Sequence, residues 1–381
     1  MSQITATLDE QLWDQLDQAV APMMLCYQCG VCTAVCPLRS TGKPLSVRRL
    51  IRSAQTGIIN GSGEAWLCTT CKQCELTCPR SVPIVDVLHA LRTIDFTHHK
   101  APPRLEEVLW KVYENGNPWG ENKGTRAKWT EGLNIKDAFE GVDVLLYTGC
   151  ASSYDPRLQN VAKAISSLLK AADVDFGVLK TQEKCCGDAV YQSGEEGYLE
   201  ELITENVNTF TKTKASVVVS ISPHCFNMFK THYPKYGANF RAVHSTEFLA
   251  ELIDAGKLKV TQSLNGQVTY HDPCYLSRYH GIREQPRKIL ESIRGIDLVE
   301  MRNSGENTLC CGSGGGHAFM ETDGERLSDV RVKEARNTGA QTLATSCPYC
   351  IQNFEDSVKT VGNGLRVMDV AELLAKAART S

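Results

Sequence analysis

Cysteine is the residue type that dominates the chemistry available to this chain, with seventeen among 381 residues. The first residues, MSQITATLDEQLW, lack the basic and apolar regions of an export signal, so we expect a cytoplasmic protein with reduced thiols. Under reducing conditions, clustered cysteines favour metal binding or redox chemistry over structural disulfides. All seventeen cysteines fall into four spaced groups, which indicates that each group is a site.

The first two groups share the spacing C-x2-C-x2-C-x3-C followed by proline. This spacing is typical of bacterial two-cluster ferredoxins, in which three cysteines of one loop and the last cysteine of the other bind each [4Fe-4S] cluster. The alternative, a pair of structural zinc sites, does not typically combine this spacing with a trailing proline. We therefore predict two [4Fe-4S] clusters, one bound by Cys26, Cys29, Cys32 and Cys78 and the other by Cys68, Cys71, Cys74 and Cys36.

Five cysteines near the C-terminus form a group of a different kind, made of Cys274, Cys310, Cys311, Cys347 and Cys350. Adjacent cysteines do not easily bridge each other, and an odd set cannot fully pair, so disulfides do not explain this group. Thiolates that three separate loops present suit a metal ion or a metal cluster. The sequence therefore predicts a metal centre in this part of the chain.

A related group with one cysteine fewer precedes it and consists of Cys150, Cys185, Cys186 and Cys225. Ser222 stands where the later group has Cys347. Four thiolates could hold zinc in tetrahedral geometry, or a cluster with one altered ligand. Zinc, no metal and a second cluster stay open as alternatives for this group.

The two later groups belong to a repeated unit. Cys185-Cys186-Gly187 recurs as Cys310-Cys311-Gly312, and Cys225 recurs as Cys350, in both cases 125 residues further on. A constant offset indicates a duplicated unit of about 120 residues. Strand-like runs such as DVLLYTGC and QVTYHDPC end at cysteines and alternate with helical stretches, which predicts α/β units with small, mainly parallel sheets. The cysteines then follow the carboxyl ends of strands, where open α/β sheets bind ligands.

The repeat divides the chain into four parts. We expect a helical two-cluster ferredoxin domain over residues 1–100, a connecting segment over 101–141, and two cysteine-rich units over 142–262 and 263–381. Leucines at i, i+4 spacing predict an amphipathic helix over residues 1–20 that packs against the neighbouring domain. The run SVRRLIRSAQTG predicts a short helix that ends at Gly57.

The spacing of the five-cysteine group resembles that of proteins with duplicated CCG cysteine-rich domains. Together with the ferredoxin motifs, the chain from about residue 24 onward resembles the D-type subunit of heterodisulfide reductase and the catalytic iron–sulfur subunits of sulfate-reducer membrane complexes. The resemblance implies an oxidoreductase whose complete CCG motif holds a non-cubane [4Fe-4S] cluster, at which a disulfide is reduced or formed. The ligands that it implies are Cys274, Cys310, Cys311, Cys347 and Cys350. The shorter group, with Ser222, departs from the pattern.

Several polar residues lie close in sequence to these cysteines: His224, His271, Asp272, Arg278, His280 and His317. Reduction of a disulfide to two thiols needs protons, and histidine is the usual donor near neutral pH. We predict His224 and His317 as catalytic residues, with a structural role for each as the alternative. The run Gly312–Gly316 does not match a phosphate-binding loop, and we expect its glycines to bring backbone amides close to sulfur atoms.

Charge and motifs limit the partners of this chain. A net charge of −3 argues against nucleic-acid binding, and the apolar runs are too short for a direct membrane span. No flavin or nicotinamide fingerprint is present, so we expect electrons from a flavoprotein or from a membrane cytochrome or quinone subunit, at the inner membrane face. The alternative function is an electron-transfer subunit of a flavin-dependent 2-hydroxy-acid or glycerol-3-phosphate dehydrogenase that passes electrons towards quinone.

Overall fold

Short helices surround the first two cysteine groups. The computed structural model describes residues 21–57, 63–321, 323–362 and 364–378, and the predicted helix over residues 1–20 lies outside them. The helices of this N-terminal region are α1 Val31–Ala34, α2 Val47–Thr56, α3 Gln73–Leu76 and α4 Ile84–Thr97. Helix α2 buries its apolar face and ends at Gly57, whose φ of 66° suits a residue without Cβ. The predicted end of this helix is confirmed.

Each cysteine-rich unit is built on a small sheet in which all paired strands are parallel. The strand order is β1-β3-β2-β4-β5 in the first sheet and β7-β6-β8-β9 in the second. The strands are β1 Lys136–Asp137, β2 Val144–Tyr147, β3 Phe176–Val178, β4 Val217–Ser220, β5 Arg241–His244, β6 Gly266–Tyr270, β7 Ile296–Leu298, β8 Thr342–Thr345 and β9 Arg366–Asp369. The last four strands of the first sheet match the second sheet in order, so the predicted duplication and fold class are confirmed.

Helices connect the strands and cover the sheets. They are α5 Pro103–Asn115, α6 Gly149–Tyr154, α7 Gln159–Ala171, α8 Asp188–Gln192, α9 Gly197–Thr213, α10 Pro223–Asn227, α11 Ser245–Asp254, α12 Cys274–Ser277, α13 Glu284–Glu291, α14 Leu327–Arg336, α15 Pro348–Ser357 and α16 Val370–Ala377. Single π-helical turns, Met228–His232 and Val358–Gly362, follow α10 and α15. In the described parts of the chain, every helix is too short or too polar to cross a bilayer.

One hydrophobic core joins the two units. Helix α7 of the first unit packs on α16 of the second, and α11 of the first packs on α13 of the second. This pairing is reciprocal, because α7 and α13 are equivalent in the repeat, as are α11 and α16. Arg157, before α7, adds ion pairs to Glu372 and Glu355 of the second unit. The two units are therefore related by an approximate two-fold axis through a shared core.

The segment between the ferredoxin-like region and the repeat is ordered. It contains α5 and the edge strand β1, which pairs with β3 of the first sheet. Within the segment, Trp129 is buried, whereas Trp110 on α5 stays 65% exposed. Trp119 packs on Phe319 and Tyr349 of the second unit, so the segment contacts both units and leaves one tryptophan in solvent.

The glycine run between residues 312 and 316 lies against the second ferredoxin loop. A Cβ atom on Gly314 would lie 2.3 Å from the carbonyl oxygen of Thr69, and a Cβ on Gly315 would lie 2.3 Å from that of Cys68. Gly312 has a different role, because its amide donates to the sulfur of Cys310 at 3.3 Å. The expected contact between a glycine amide and a sulfur atom is therefore present at Gly312. At Gly314 and Gly315, the absence of a side chain lets this run contact the backbone of the second ferredoxin loop.

Arg92 of α4 joins three parts of the chain. Its side chain is 1% exposed. The guanidinium donates to the carbonyl oxygens of Ala65 and Cys68 in its own region, of Gln192 in the first unit and of Gly315 in the second. The five N–H groups of a buried guanidinium all need acceptors. These hydrogen bonds therefore fix the ferredoxin region relative to both cysteine-rich units.

Replacing Gly315 by alanine should separate the glycine run from the ferredoxin loop. We expect the free energy of unfolding to fall by about 1–3 kcal/mol more than in Gly42→Ala, since the added Cβ would overlap Cys68. Gly42 is a matched control because its φ of +71° resembles the +64° of Gly315, but no atom lies within 4 Å of the place that its Cβ would take. Urea unfolding of the reconstituted proteins, followed by circular dichroism, measures both losses, and equal losses would contradict the contact.

Candidate metal centre

Four cysteines from both ferredoxin motifs surround one small cavity near the surface. Cys26, Cys29 and Cys32 of the first loop line it together with Cys78, the last cysteine of the second motif. Cys29 is exposed and Cys32 is buried. The amide of Val82 donates to the sulfur of Cys78 at 3.4 Å. The structure thus brings together the set that the crossed assignment requires.

The other four ferredoxin cysteines form a deeper group, in which three thiols are buried and that of Cys36 is half-buried. Cys68, Cys71 and Cys74 are buried, and Cys36 of the first motif lies beside Cys68 and Cys71. Burial raises the pKa of Cys36 to about 12 and that of Cys68 to about 11. Buried thiols of this kind ionise only when a cation compensates them. Four such thiols, with the Thr70 amide donating to the Cys68 sulfur at 3.3 Å, fit a bound metal cluster.

The five cysteines of the second unit come together in a buried site. Cys274 is the first residue of α12, which follows strand β6. Cys310 and Cys311 follow strand β7. Cys347 precedes α15, which follows strand β8, and Cys350 lies in the first turn of α15. The sulfurs of Cys311 and Cys350 are 3.2 Å apart. Cys310 lies beside Cys274 and Cys311, and Cys347 lies beside Cys350. Five sulfurs exceed the four ligands of a tetrahedral ion, so this donor set suits a cluster better than zinc.

The second ferredoxin loop touches this five-cysteine site directly. The thiols of Cys71 and Cys310 lie within hydrogen-bonding reach of each other. Cys310 also lies 3.6 Å from the hydroxyl of Thr69. On the same loop, the Tyr279 hydroxyl donates to the Thr70 carbonyl oxygen at 2.6 Å. The deeper ferredoxin group is therefore the one adjacent to the CCG site.

The four cysteines of the first unit also form one buried group. Cys150 lies beside Cys185, and Cys186 lies beside Cys225. The guanidinium of Arg126 donates to the sulfur of Cys150 at 3.3 Å and to Glu183 at 2.8 Å. Arg126 lies 24 residues before Cys150 in the connecting segment, so no local sequence pattern associates it with the group.

Ser222 occupies the position of Cys347 in the first unit, and its hydroxyl caps a helix. Its hydroxyl accepts a hydrogen bond from the amide of His224 at 3.3 Å and caps α10. Hydroxyl groups at this position favour helix starts because they satisfy a free amide. The substitution therefore replaces a potential ligand by a helix cap.

His224 of the first unit reaches the site of the second unit. Its Nδ1 lies 3.1 Å from a carboxylate oxygen of Asp188, and its ring stacks on Tyr275 at 4.1 Å. The ring also lies within hydrogen-bonding reach of Cys347. Burial opposes a positive charge on His224, but Asp188 and Cys347 outweigh it and raise its pKa to about 10. Burial likewise opposes a charge on Cys347, yet Cys350 and His224 lower its pKa to about 5.

His271 lies beside the second site in a fixed tautomer. One of its ring nitrogens and the sulfurs of Cys311 and Cys350 lie within 4.8 Å of one another. Arg331 donates to Nδ1 at 3.1 Å, and burial lowers the pKa of His271 well below its usual range. The neutral ring therefore carries its hydrogen on Nε2, which has no protein partner among the described residues. In the first unit the equivalent residue is Tyr147, whose hydroxyl donates to the Lys184 carbonyl at 2.7 Å instead.

His317 lines a cavity of about 580 Å³ that reaches the site from outside, with Cys311 and Thr69 at its inner end. Burial lowers the pKa of His317 to about 4, so its ring is neutral. Its buried Nε2 has no partner in the described structure. Among the five cysteines of the second group, Cys311 is the one in the lining of this cavity.

The remaining polar residues near the cysteines have structural partners. Asp272 accepts from Arg287 at 2.7 Å, and His280 lies 3.0 Å from the side chain of Asn227. Arg278 donates to the carbonyl oxygens of Cys71 and Thr308. Arg278 thus helps to hold the ferredoxin loop on the second unit.

Comparisons with known proteins agree with this architecture. Residues 25–82 match the 4Fe-4S dicluster domain family, and residues 144–230 and 268–355 match the cysteine-rich CCG domain family. The D-type subunit of the dihydromethanophenazine:CoB–CoM heterodisulfide reductase of Methanosarcina barkeri is 31% identical over 385 residues, which cover 92% of this chain and 93% of the relative. The probable iron–sulfur-binding oxidoreductase FadF of Bacillus subtilis is 32% identical over 92% of this chain and 59% of its own length. The EtfAB:quinone oxidoreductase of Syntrophomonas wolfei is 29% identical over 92% of this chain and 58% of its own length.

Fold and site together define an iron–sulfur oxidoreductase subunit that joins a 4Fe-4S dicluster domain to two CCG domains. The chain belongs to the family of the D-type subunits of heterodisulfide reductase. It spans slightly less than three fifths of the length of the FadF and EtfAB:quinone oxidoreductase relatives.

Replacing His271 by leucine removes an N–H group beside the five-cysteine site. In the iron-loaded protein we expect the midpoint potential of the cluster at this site to fall by about 20–60 mV. One hydrogen bond contributes about 0.5–1.5 kcal/mol, and hydrogen bonds to cluster sulfurs raise the potential. Potentiometric titration followed by electron paramagnetic resonance measures the shift. Tyr147→Phe should leave this potential unchanged, and an unchanged or raised potential in His271→Leu would contradict the role.

Proposed function

We propose that this chain relays electrons through two [4Fe-4S] cubane clusters to a non-cubane [4Fe-4S] cluster in the second CCG unit, where a disulfide is reduced. The overall step takes a disulfide, two electrons and two protons to two thiols, and it can run in the reverse direction. The contact between Cys71 and Cys310 supports this proposal most strongly, because it joins the deeper ferredoxin group to the CCG site.

The proposal assigns every cluster to a set of thiols that the fold brings together. The clusters would be held by Cys26, Cys29, Cys32 and Cys78, by Cys68, Cys71, Cys74 and Cys36, and by Cys274, Cys310, Cys311, Cys347 and Cys350. When bound, they would supply one-electron carriers and, in the second CCG unit, an iron site that binds sulfur. The residues around them would place the substrate and hold protons.

The cavity that ends at Cys311 is the proposed substrate site. Its volume of about 580 Å³ is within the range of small-molecule sites, about 300–1,000 Å³. His317 offers the substrate a neutral ring with a buried, unpartnered nitrogen. On another side of the site, His224 holds a proton next to Cys347, with Asp188 fixing its ring. These two histidines are the proposed catalytic residues.

The first CCG unit has a different proposed role. Its thiols Cys150, Cys185, Cys186 and Cys225 would hold zinc or a second, altered cluster. Arg126 beside Cys150 adds a positive charge that would offset part of the charge of four thiolates. In either case the unit would support the second site by presenting His224 to it.

We place the chain in a complex of several subunits. It would act in the cytoplasm and reach the inner membrane face through a partner, a flavoprotein or a membrane cytochrome or quinone subunit. The name of the Syntrophomonas relative, EtfAB:quinone oxidoreductase, supports this assignment of partners.

A second candidate function is electron transfer without a substrate of its own, as in a subunit of a flavin-dependent 2-hydroxy-acid or glycerol-3-phosphate dehydrogenase. The loss of a fifth thiol at Ser222 favours it, because one of the two CCG units then lacks a complete cluster motif. The intact second motif and its open cavity favour disulfide chemistry.

Disulfide turnover tests the first candidate. The reconstituted chain should oxidise reduced viologen dye when a substrate disulfide is present, and Cys311→Ser should lower this rate by about 100-fold or more. Tyr147→Phe, which removes only a hydroxyl bonded to the Lys184 carbonyl in the first unit, is the control and should retain most of the rate. Failure with every low-molecular-weight and protein disulfide tried, together with electron transfer to a quinone analogue, would replace this proposal by the second candidate.

Metal analysis tests the cluster assignment independently of activity. If the first unit holds zinc, three clusters of four irons predict about twelve iron atoms and about twelve labile sulfides per chain, and a second cluster in the first unit would raise both counts. Cys347→Ser should lower the iron content by about four atoms per chain and abolish the signal of one cluster in electron paramagnetic resonance. Iron near two atoms or fewer in the wild-type chain would refute the assignment.

A further inference from the structure

Exposed apolar side chains concentrate at one place on this chain. In the described residues, eight large apolar side chains are exposed, and five of them lie around the first ferredoxin loop and on α3. The five are Met24, Leu25, Tyr27, Val31 and Leu76, with exposed fractions between 37% and 63%. We call this surface the docking face. Such a concentration marks a binding surface, because single exposed apolar residues are normally scattered.

The docking face is centred on Cys26, Cys29, Cys32 and Cys78, which we call the outer ferredoxin group. Cys29 is exposed in the middle of the loop, between Tyr27 and Val31. Tyr27 also lies beside Cys78 and Arg80, which belong to the second motif. Helix α1, which begins at Val31, packs on α3, which ends at Leu76. The apolar residues therefore lie around the outer cysteine group.

Exposed arginines lie near this face, with Arg52 one helical turn after Arg48 on α2. Arg48, Arg52 and Arg80 are exposed, and Arg48 packs against Gly30 in the loop. The described residues provide none of these three with a carboxylate partner, whereas their neighbour Arg49 pairs with Glu64. An apolar centre with a positive rim is complementary to an acidic protein surface that has an apolar middle.

We propose that an acidic one-electron carrier protein docks on this face and exchanges electrons with the outer ferredoxin group. This inference rests on the proposed function, in which the deeper group passes electrons to the CCG site. The deeper group is buried against the second unit, so the outer group is the one that a partner can approach. An anionic membrane would attract the same arginines, but only a redox partner explains why the face is centred on cysteines.

A rate measurement tests the proposal. The probe is reduced flavodoxin, an acidic one-electron flavoprotein, mixed with the fully reconstituted chain in a stopped-flow instrument. The double variant Arg52→Glu, Arg80→Glu should lower the second-order rate constant of cluster reduction by about tenfold or more. For the wild-type chain, this rate constant should fall as the salt concentration rises from about 0.02 to 0.3 M. Lys257→Glu with Lys259→Glu is the control, since it changes the net charge equally at exposed positions in another unit. It should react within about twofold of wild type.

Two further measurements make every outcome decisive. Reduced methyl viologen should reduce both double variants as fast as wild type, which shows that folding and clusters are intact. Variants with normal flavodoxin rates would overturn the proposal, and loss of binding to phosphatidylglycerol vesicles with normal flavodoxin rates would assign the face to a membrane instead. Loss of disulfide turnover with normal flavodoxin kinetics would count against the proposed function and leave the docking face standing.

Discussion

The hydrogen bonds of one buried arginine hold the redox architecture together. Arg92 brings a positive charge into the interior, where an unpaired charge is costly, and satisfies it with carbonyl oxygens from the ferredoxin region and both CCG units. It also stacks on Trp66 at 5.1 Å. Cys68 is the ionisable neighbour that most favours its charge, so the charge of a loaded cluster would stabilise the guanidinium. The three regions are thus joined at the place where the deeper ferredoxin group meets the glycine run of the second unit.

The two CCG units show how a duplicated scaffold can acquire unequal sites. The shared core and the reciprocal helix pairing keep the approximate two-fold relation, and the strand order is common to both. The differences that bear on the sites lie at the carboxyl ends of the strands. A cysteine in one unit is a capping serine in the other, and the position of His271 is occupied by Tyr147. The unit with four cysteines contributes His224 to the site of the unit with five, so the second site depends on the first unit.

Several features could be predicted because they depend on residues close in sequence. The end of α2 at Gly57, the strands before Cys150 and Cys274, and the fold of the repeat follow from local patterns and are confirmed. The crossed cysteine sets remain a prediction as cluster ligands, although the structure groups the thiols in that way. Arg126 and Arg92 could not be found from the sequence, because each lies 24 residues from the cysteine that it contacts, Cys150 and Cys68 respectively.

The sequence by itself determined the four groups of cysteines, the duplication and the parallel strands, since cysteine spacing and apolar periodicity are properties of short segments. Only the tertiary structure decided which ferredoxin group faces the CCG site, which cysteine lines an open cavity, and that His224 serves the opposite unit. These facts depend on contacts between segments far apart in the chain, such as Cys71 with Cys310. Contacts of this kind arise from how the helices and sheets pack, and no spacing within a motif encodes them.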